Sequence, residues 1–458
     1  MKIAILGAGQ VGAPVAEQLA LEGHDITVVD RDAAKLAALG ERLDIQTVAG
    51  HAAYPDVLEQ AGLGAADMVL AVTAADEVNM VACQMAETLF HTPTKLARLR
   101  APEYLEHPEL FTPDAFPVDY IISPEQVVTD SIHRLVEHPG ALQVVDFAGG
   151  RVRLVGVRAE PFGPLVGHQL QELRHQMPGV DTRVAAIYRR GQAIIPEGPT
   201  VIEEGDEVFF IAAREHIQGV LTSLRGAEEV VRGLVIVGGG KIGSSLAESL
   251  ERTPVQVKLI DHNPAHAAQV AADLKHTLVL QGDGADETLL REENIGAMDM
   301  FVAVTNDDEA NILSSMLAKQ IGVQRVVTLI NRGAYVDLVQ QTGIDVAVSP
   351  HQATIGRILA HVRRGDVAMV HSLRRGAAEA IELLAHGDAS TSKVIGKRLD
   401  EIQLPRGVTI CAIVRGGQVL VAHRHVVIEP EDHVILFLVD KRKIAQVEKL
   451  FQVGLGFF

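Results

Sequence analysis

The chain is short of cysteine, of positive charge and of long apolar runs, and each shortage removes a class of protein. Only Cys83 and Cys411 occur in 458 residues, so no disulfide framework is expected. Each sits in an apolar stretch, "NMVACQMAETL" and "VTICAIV", where buried packing is the expected role. Lys and Arg number 41 against 59 acidic residues, a net charge of -18. That balance argues against a nucleic-acid partner, whose phosphates reward clustered cations. No apolar run approaches the roughly 18–20 residues that cross a bilayer. Nothing resembles a signal peptide, because a strand and a glycine turn follow Lys2 at once. A cytoplasmic protein without a transmembrane segment is expected, one that serves a membrane only by docking to something else.

What the chain does have is an internal repeat. "KIAILGAGQVG" opens it and "LVIVGGGKIG" returns later, so that Gly7, Gly9 and Gly12 match Gly238, Gly240 and Gly243. Asp30 closes "ITVVD" as Asp261 closes "VKLID", and "ADMVLAVTAADEVNM" aligns with "MDMFVAVTNDDEANI". A second kind of unit follows each of these. "LVGHQLQEL" parallels "VIGKRLDEI", and "AIYRRGQAII" parallels "AIVRGGQVLV". The order is N1, C1, N2, C2, with boundaries expected at 1–138, 139–226, 230–363 and 366–453. In the N units strands alternate with amphipathic helices: Val15 and Leu19 follow Val11, and Leu246 and Leu250 follow Ile242. The predicted fold is α/β, with two Rossmann-like doubly wound parallel sheets. Each is followed by a small α+β domain whose hairpin turns at Arg190-Gly191 or Gly416-Gly417.

The glycines carry chemistry. The first permits a tight turn, the second lets a pyrophosphate approach the backbone, and the third lets helix and strand pack closely. The helix then offers its unpaired N–H groups to phosphate, and an acid about 20 residues on accepts ribose hydroxyls. Asp30 and Asp261 stand there, which favours NAD over NADP because a carboxylate repels a 2′-phosphate. The loop residues Ala8, Gln10 and Val11, and their counterparts Gly239, Lys241 and Ile242, complete the two candidate cradles. Arg31 is a cation beside the acid, and Lys241 is placed to reach a phosphate. After the third strand N2 has Asp283 for adenine or ribose, whereas N1 has His51. Thr73 and Thr305 end the fourth strands, where a doubly wound sheet opens its crevice. Asp76, Glu77 and Asn79, with Asp308, Glu309 and Asn311, are expected to cap the helices that follow, with ligand contact as a further role. Arg98 and Arg100, in "KLARLR", are candidates to pair with phosphate. Pro14 is expected among the first helical positions, where proline is tolerated.

These residues resemble the TrkA family of Trk-system potassium uptake proteins, built from two RCK units. The likeness covers nearly the whole chain: "GAGQVG" with Asp30, "AVTAADEVNM", "ARLRAPEY", "GGGKIG" with Asp261, and both C-unit hairpins. The resemblance implies NAD(H) as ligand, with ATP or ADP as further candidates. It implies a homotetrameric ring held at the inner face of the membrane beneath a Trk-type potassium-translocating subunit, which it gates. His51 departs from the Gly-Asp that the family usually shows, so adenine recognition is least secure in N1.

The alternative is an NAD-dependent oxidoreductase. Hydride transfer needs a substrate pocket and a positioned acid or base, and neither C unit carries such a constellation shared with its twin. "AHRH" offers His423 and His425 on one strand face, but a third metal ligand is not apparent. No catalytic residue and no metal is assigned.

Overall fold

In "KIAIL" and "GLVIV" nearly every residue is apolar, the pattern of a parallel strand covered on both faces. Ile3, Ala4, Ile5 and Leu6, like Leu234, Val235 and Ile236, are buried to 1% exposure or less. The computed structural model describes residues 1–161, 163–177, 179–225, 230–333, 335, 339, 343–363 and 367–453. Strands β1 (Lys2–Leu6), β2 (Asp25–Asp30), β3 (Gln46–Ala49), β4 (Met68–Ala71), β5 (Thr94–Arg98) and β6 (Tyr120–Ile122) form a parallel sheet. Its order is β3-β2-β1-β4-β5-β6, the doubly wound arrangement with a switch point between β1 and β4.

A five-stranded antiparallel sheet follows: β7 (Ala141–Phe147), β8 (Val152–Arg158), β9 (Thr182–Arg189), β10 (Gln192–Ile194) and β11 (Glu207–Ala213), ordered β10-β9-β11-β8-β7. The second parallel sheet comprises β12 (Gly233–Val237), β13 (Gln256–Asp261), β14 (Leu278–Gln281), β15 (Met300–Ala303), β16 (Arg325–Leu329) and β17 (Val346–Val348). It repeats the order of the first. The last sheet, β18 (Val367–Leu373), β19 (Ala378–Leu384), β20 (Val408–Arg415), β21 (Gln418–Val421) and β22 (His433–Leu438), repeats the other antiparallel one. The predicted fold class is what the chain adopts.

The hairpins turn where glycine allows it. Arg190 and Gly191 have φ of 50° and 79°, Gly416 and Gly417 of 53° and 87°, the two positive values of a type I′ turn. Behind each hairpin lies a polar clamp. Arg189 donates to the fully buried Asp206 at 2.8 Å, to Val201 O at 2.9 Å and to Glu203. Arg415 does the same with Asp432, Val427 O and Glu429.

By compactness the chain divides into Met1–Val127 with His351–Arg363, and Val128–Pro350 with Arg364–Phe458. The tandem segment 230–363 is therefore shared between the two. Helix Pro350–Val362 follows the second parallel sheet in sequence, yet from His351 on it belongs to the first unit. Its apolar side, Ile358, Leu359 and Val362, is buried to 1% or less, and Arg363 donates to Glu22 at 2.9 Å. In the second unit Val128, Ile132, Leu135 and Val136 of helix Pro124–Glu137 join one apolar cluster with Val155, Phe210, Leu234 and Ile236. Both apolar stripes are core. Cys83 and Cys411 are fully buried, and burial pushes each thiol up to about 12.

Candidate functional site

The third glycine of each loop is fixed by its neighbour. A Cβ on Gly12 would lie 1.8 Å from the carbonyl oxygen of Gly7, and one on Gly243 would lie 1.9 Å from that of Gly238. Gly7 (φ 113°) and Gly238 (φ 100°) turn in the left-handed region, pressed against Thr73 and Thr305. By contrast Gly9 and Gly240 face open space, with nothing within 4 Å of a built Cβ. The middle glycine is where a ligand can come close to backbone. The helices that follow, Gly12–Leu21 and Lys241–Leu250, have no side-chain N-cap bond; Ala13 N–H donates to Gly9 O at 3.1 Å, and the other N–H groups of the first turns are left to another acceptor. Pro14 is the third residue of its helix, where no intrahelical N–H bond is lost. Gln10, Lys241 and Arg31 are exposed, while Ala8, Val11 and Gly239 are buried. Ile242 packs against the core from a half-buried position.

The acids serve the loop as well as facing the crevice. Asp30 accepts from Ala8 N–H at 2.6 Å and from Asp32 N–H at 2.9 Å. Asp261 accepts from Gly239 N–H at 2.7 Å and Asn263 N–H at 2.8 Å, with His266 Nδ1 at 3.0 Å. Burial raises the Asp261 carboxyl, but the N–H donors of Asn263 and Gly239 and the His266 ring outweigh it. It lies below the usual range and stays ionised. A carboxylate oxygen takes more than one hydrogen bond, so each acid keeps capacity for a ribose hydroxyl.

At the fourth strand the expectation of helix caps is corrected. The N-cap positions are Ala75, which makes no side-chain bond, and Asp307. Asp76, 7% exposed, instead accepts from Arg100 and Ala101 N–H at 2.7 and 2.8 Å. Asp308 accepts from Asn331 and Arg332 N–H at 2.8 Å each. Asn79 and Asn311, both fully buried, take the N–H of Thr73 or Thr305 at 2.9 Å and donate to Arg98 O or Leu329 O. These side chains staple the ends of β4 and β5 together, because a buried carboxylate or amide needs partners that the loops supply. Tyr104, in helix Pro102–Leu105, reaches Glu77 at 3.3 Å, and Tyr335 reaches Glu309 at 2.9 Å.

The remaining candidates separate. Arg98 is half-buried at the end of β5, and its Nε has no hydrogen-bond partner among the described residues. Burial, reinforced by the nearby Arg100, holds its guanidinium below the usual arginine range. Arg100 donates to Glu125 at 2.7 Å. Asp283 is exposed and accepts from Ala285 N–H at 2.9 Å. In N1 His51 Nδ1 takes the N–H of Ala53 at 3.1 Å in the same way, so histidine replaces aspartate in the turn. His423 and His425 lie beyond β21 and not on a strand face; His423 pairs with Asp181 at 3.1 Å.

Likeness to known proteins places the chain. The TrkA-N domain profile matches residues 3–124 and 234–350, and the TrkA-C domain profile matches 154–224 and 388–452. The chain belongs to the TrkA family. A relative from Halomonas elongata, named Trk system potassium uptake protein TrkA, is 61% identical over all of both chains. Relatives of the same name from Vibrio alginolyticus and Haemophilus influenzae are 56% and 48% identical over 99% of both chains. Family membership is a role in potassium uptake, not an enzymatic one, and the oxidoreductase alternative falls away. The GsuK RCK domain shares the fold at TM-score 0.61 and 20% identity, covering 98% of this chain and 94% of that one. A GsuK channel bound to NAD matches at TM-score 0.61 and 19% identity, covering 98% of this chain and 78% of that one. Among the described residues no helix is long and apolar enough to cross a membrane.

Proposed function

We propose that the chain is the nucleotide-sensing regulatory subunit of a Trk-type potassium uptake system. In this reading it docks as a homotetramer at the cytoplasmic face of a potassium-translocating membrane subunit and gates it according to bound NAD(H), with ATP or ADP as further ligands. The observation that carries the reading is the pair of cradles. In each, an open middle glycine, an uncapped helix start and a stapled acid converge at a doubly wound switch point. Gly7, Gly9, Gly12 and Asp30 would hold the ligand in N1, and Gly238, Gly240, Gly243 and Asp261 in N2. Thr73 and Thr305 would floor the two crevices. The names of the relatives support the transport role, and the four-part division at 1–138, 139–226, 230–363 and 366–453 follows the tandem order of the family.

Sensing asks only that the ligand bind two conformations unequally. A tenfold preference is worth about 1.4 kcal/mol per site, and two crevices per chain multiply in an oligomer.

The purified chain is expected to bind NADH, measured by equilibrium dialysis. Asp30→Ala and Asp261→Ala should each weaken one site about tenfold, since each removes an acceptor for ribose and a tie to its loop, together about 1–2 kcal/mol. Absence of uptake at millimolar NADH would sink the reading.

A further inference from the structure

The two crevices are copies in backbone but not in charge. At the end of β5, N1 presents Arg98, whose buried Nε is unpartnered among the described residues. The register of the repeat puts Leu329, 3% exposed, at the same place in N2. Next along, Arg100 in N1 faces Asn331 in N2, and beside the acids Arg31 faces His262. After the third strand the contrast continues. N1 has His51 stacked on Tyr54, with ring centroids 4.6 Å apart. N2 has two carboxylates in those positions, Asp283 and Asp286. One difference runs the other way, Lys241 against Gln10, and Glu125 neutralises Arg100. N1 still holds three arginines against that one glutamate, whereas N2 holds Lys241, and an Arg332 tied to Glu309 at 3.1 Å, against two aspartates.

The difference falls along the length of a ligand. Across a doubly wound sheet the adenosine lies over the β1–β3 side and the other half of the molecule over the β4–β5 side. In a dinucleotide that second half is a ribose and a flat ring; in a nucleoside triphosphate it is the terminal phosphate. Leu329 suits the ring. A guanidinium Nε buried without a hydrogen-bond partner carries an unrecovered desolvation cost, which a phosphate oxygen would offset through a charge-assisted bond. His51 adds to the contrast. With Nδ1 accepting from Ala53, its neutral ring offers Nε2 as a donor, where Asp283 offers only acceptors.

We infer that N1 is the site of an adenine nucleoside polyphosphate and N2 the site of the dinucleotide. This rests on the nucleotide-binding reading above and assigns a ligand class to each of its crevices. Arg98 is the residue that separates the two classes, and His51 assists it.

The test uses the full chain with ATP and NADH as probes, binding being followed by calorimetry and folding by thermal melting. Arg98→Leu, which gives N1 the residue N2 already accommodates, is expected to lower ATP affinity at least tenfold while the NADH site of N2 keeps its affinity. Arg98→Lys should restore most of the loss. His51→Asp, which recreates the turn seen in N2, should weaken ATP several-fold with an unchanged melting temperature, and serves if Arg98→Leu fails to fold. Asp261→Ala should weaken NADH and spare ATP. ATP affinity within twofold of wild type in both Arg98→Leu and His51→Asp would overturn the assignment, as would joint loss of ATP and NADH in Asp261→Ala. Wild-type protein that takes up neither probe would instead remove the nucleotide reading itself.

Discussion

Alanine at Gly12 is expected to empty the first crevice and to lower the melting temperature of the chain, and alanine at Gly243 to do the same for the second. A methyl group 1.8 or 1.9 Å from a backbone carbonyl oxygen cannot be absorbed by a rotamer change. Either helix and strand separate or the glycine turn is rebuilt. Forced overpacking of this kind costs about 1–3 kcal/mol, and a shifted turn no longer aims the helix N–H groups at a phosphate, so nucleotide affinity should fall at least a hundredfold. Gly9→Ala is the control. Its Cβ meets nothing within 4 Å, so melting should hardly change while the nucleotide of the first crevice weakens, because the methyl occupies the space its phosphates need. Dialysis with ATP for the first crevice and NADH for the second, together with a thermal melt, reads both effects. Should Gly12→Ala bind ATP like the parent, or Gly243→Ala bind NADH like the parent, the helix–strand contact does not shape the cradle.

That pattern of three glycines and a distant acid was legible in the sequence because each residue acts locally, through φ, through size or through a carboxylate at a fixed offset. The sheet order followed for the same reason, since strand–helix alternation leaves few topologies. What stayed hidden depends on side chains meeting across the fold. Asp76 and Asp308 looked like caps because acids at a helix start usually are. Their partners are N–H groups 23 to 25 residues on, and no periodicity announces such a staple. The Arg189 and Arg415 clamps recur in both halves and were open to discovery by aligning "EEGDE" with "EPEDH". The spatial regrouping of helix Pro350–Val362 leaves no local trace, because an apolar stripe does not say which sheet it covers.

The pairing of Glu22 with Arg363 carries the other large effect. Helix Gly12–Leu21 ends beside Glu22, and the side chains of Glu22 and Arg363 are only 13% and 1% exposed. Arg363→Met is expected to destabilise the first unit by about 3–5 kcal/mol, because it strands a buried carboxylate. The double variant Glu22→Met with Arg363→Met should recover most of that loss, since replacing a whole buried pair by apolar groups is often neutral. Burial raises the Glu22 carboxyl, yet the Arg363 charge and hydrogen bond, with a bond from Gln18, bring it below the ordinary value. A carboxyl held low in the folded state adds stability above its unfolded pKa of about 4.3 and loses it as pH falls through the folded value. Wild-type protein should therefore weaken as pH drops below about 4, and the double variant should lack this part of the decline. Hydrogen exchange of the amides in Pro350–Val362 reads the effect where it arises. If that helix is as protected in Arg363→Met as in the parent, its attachment rests on Ile358, Leu359 and Val362 alone.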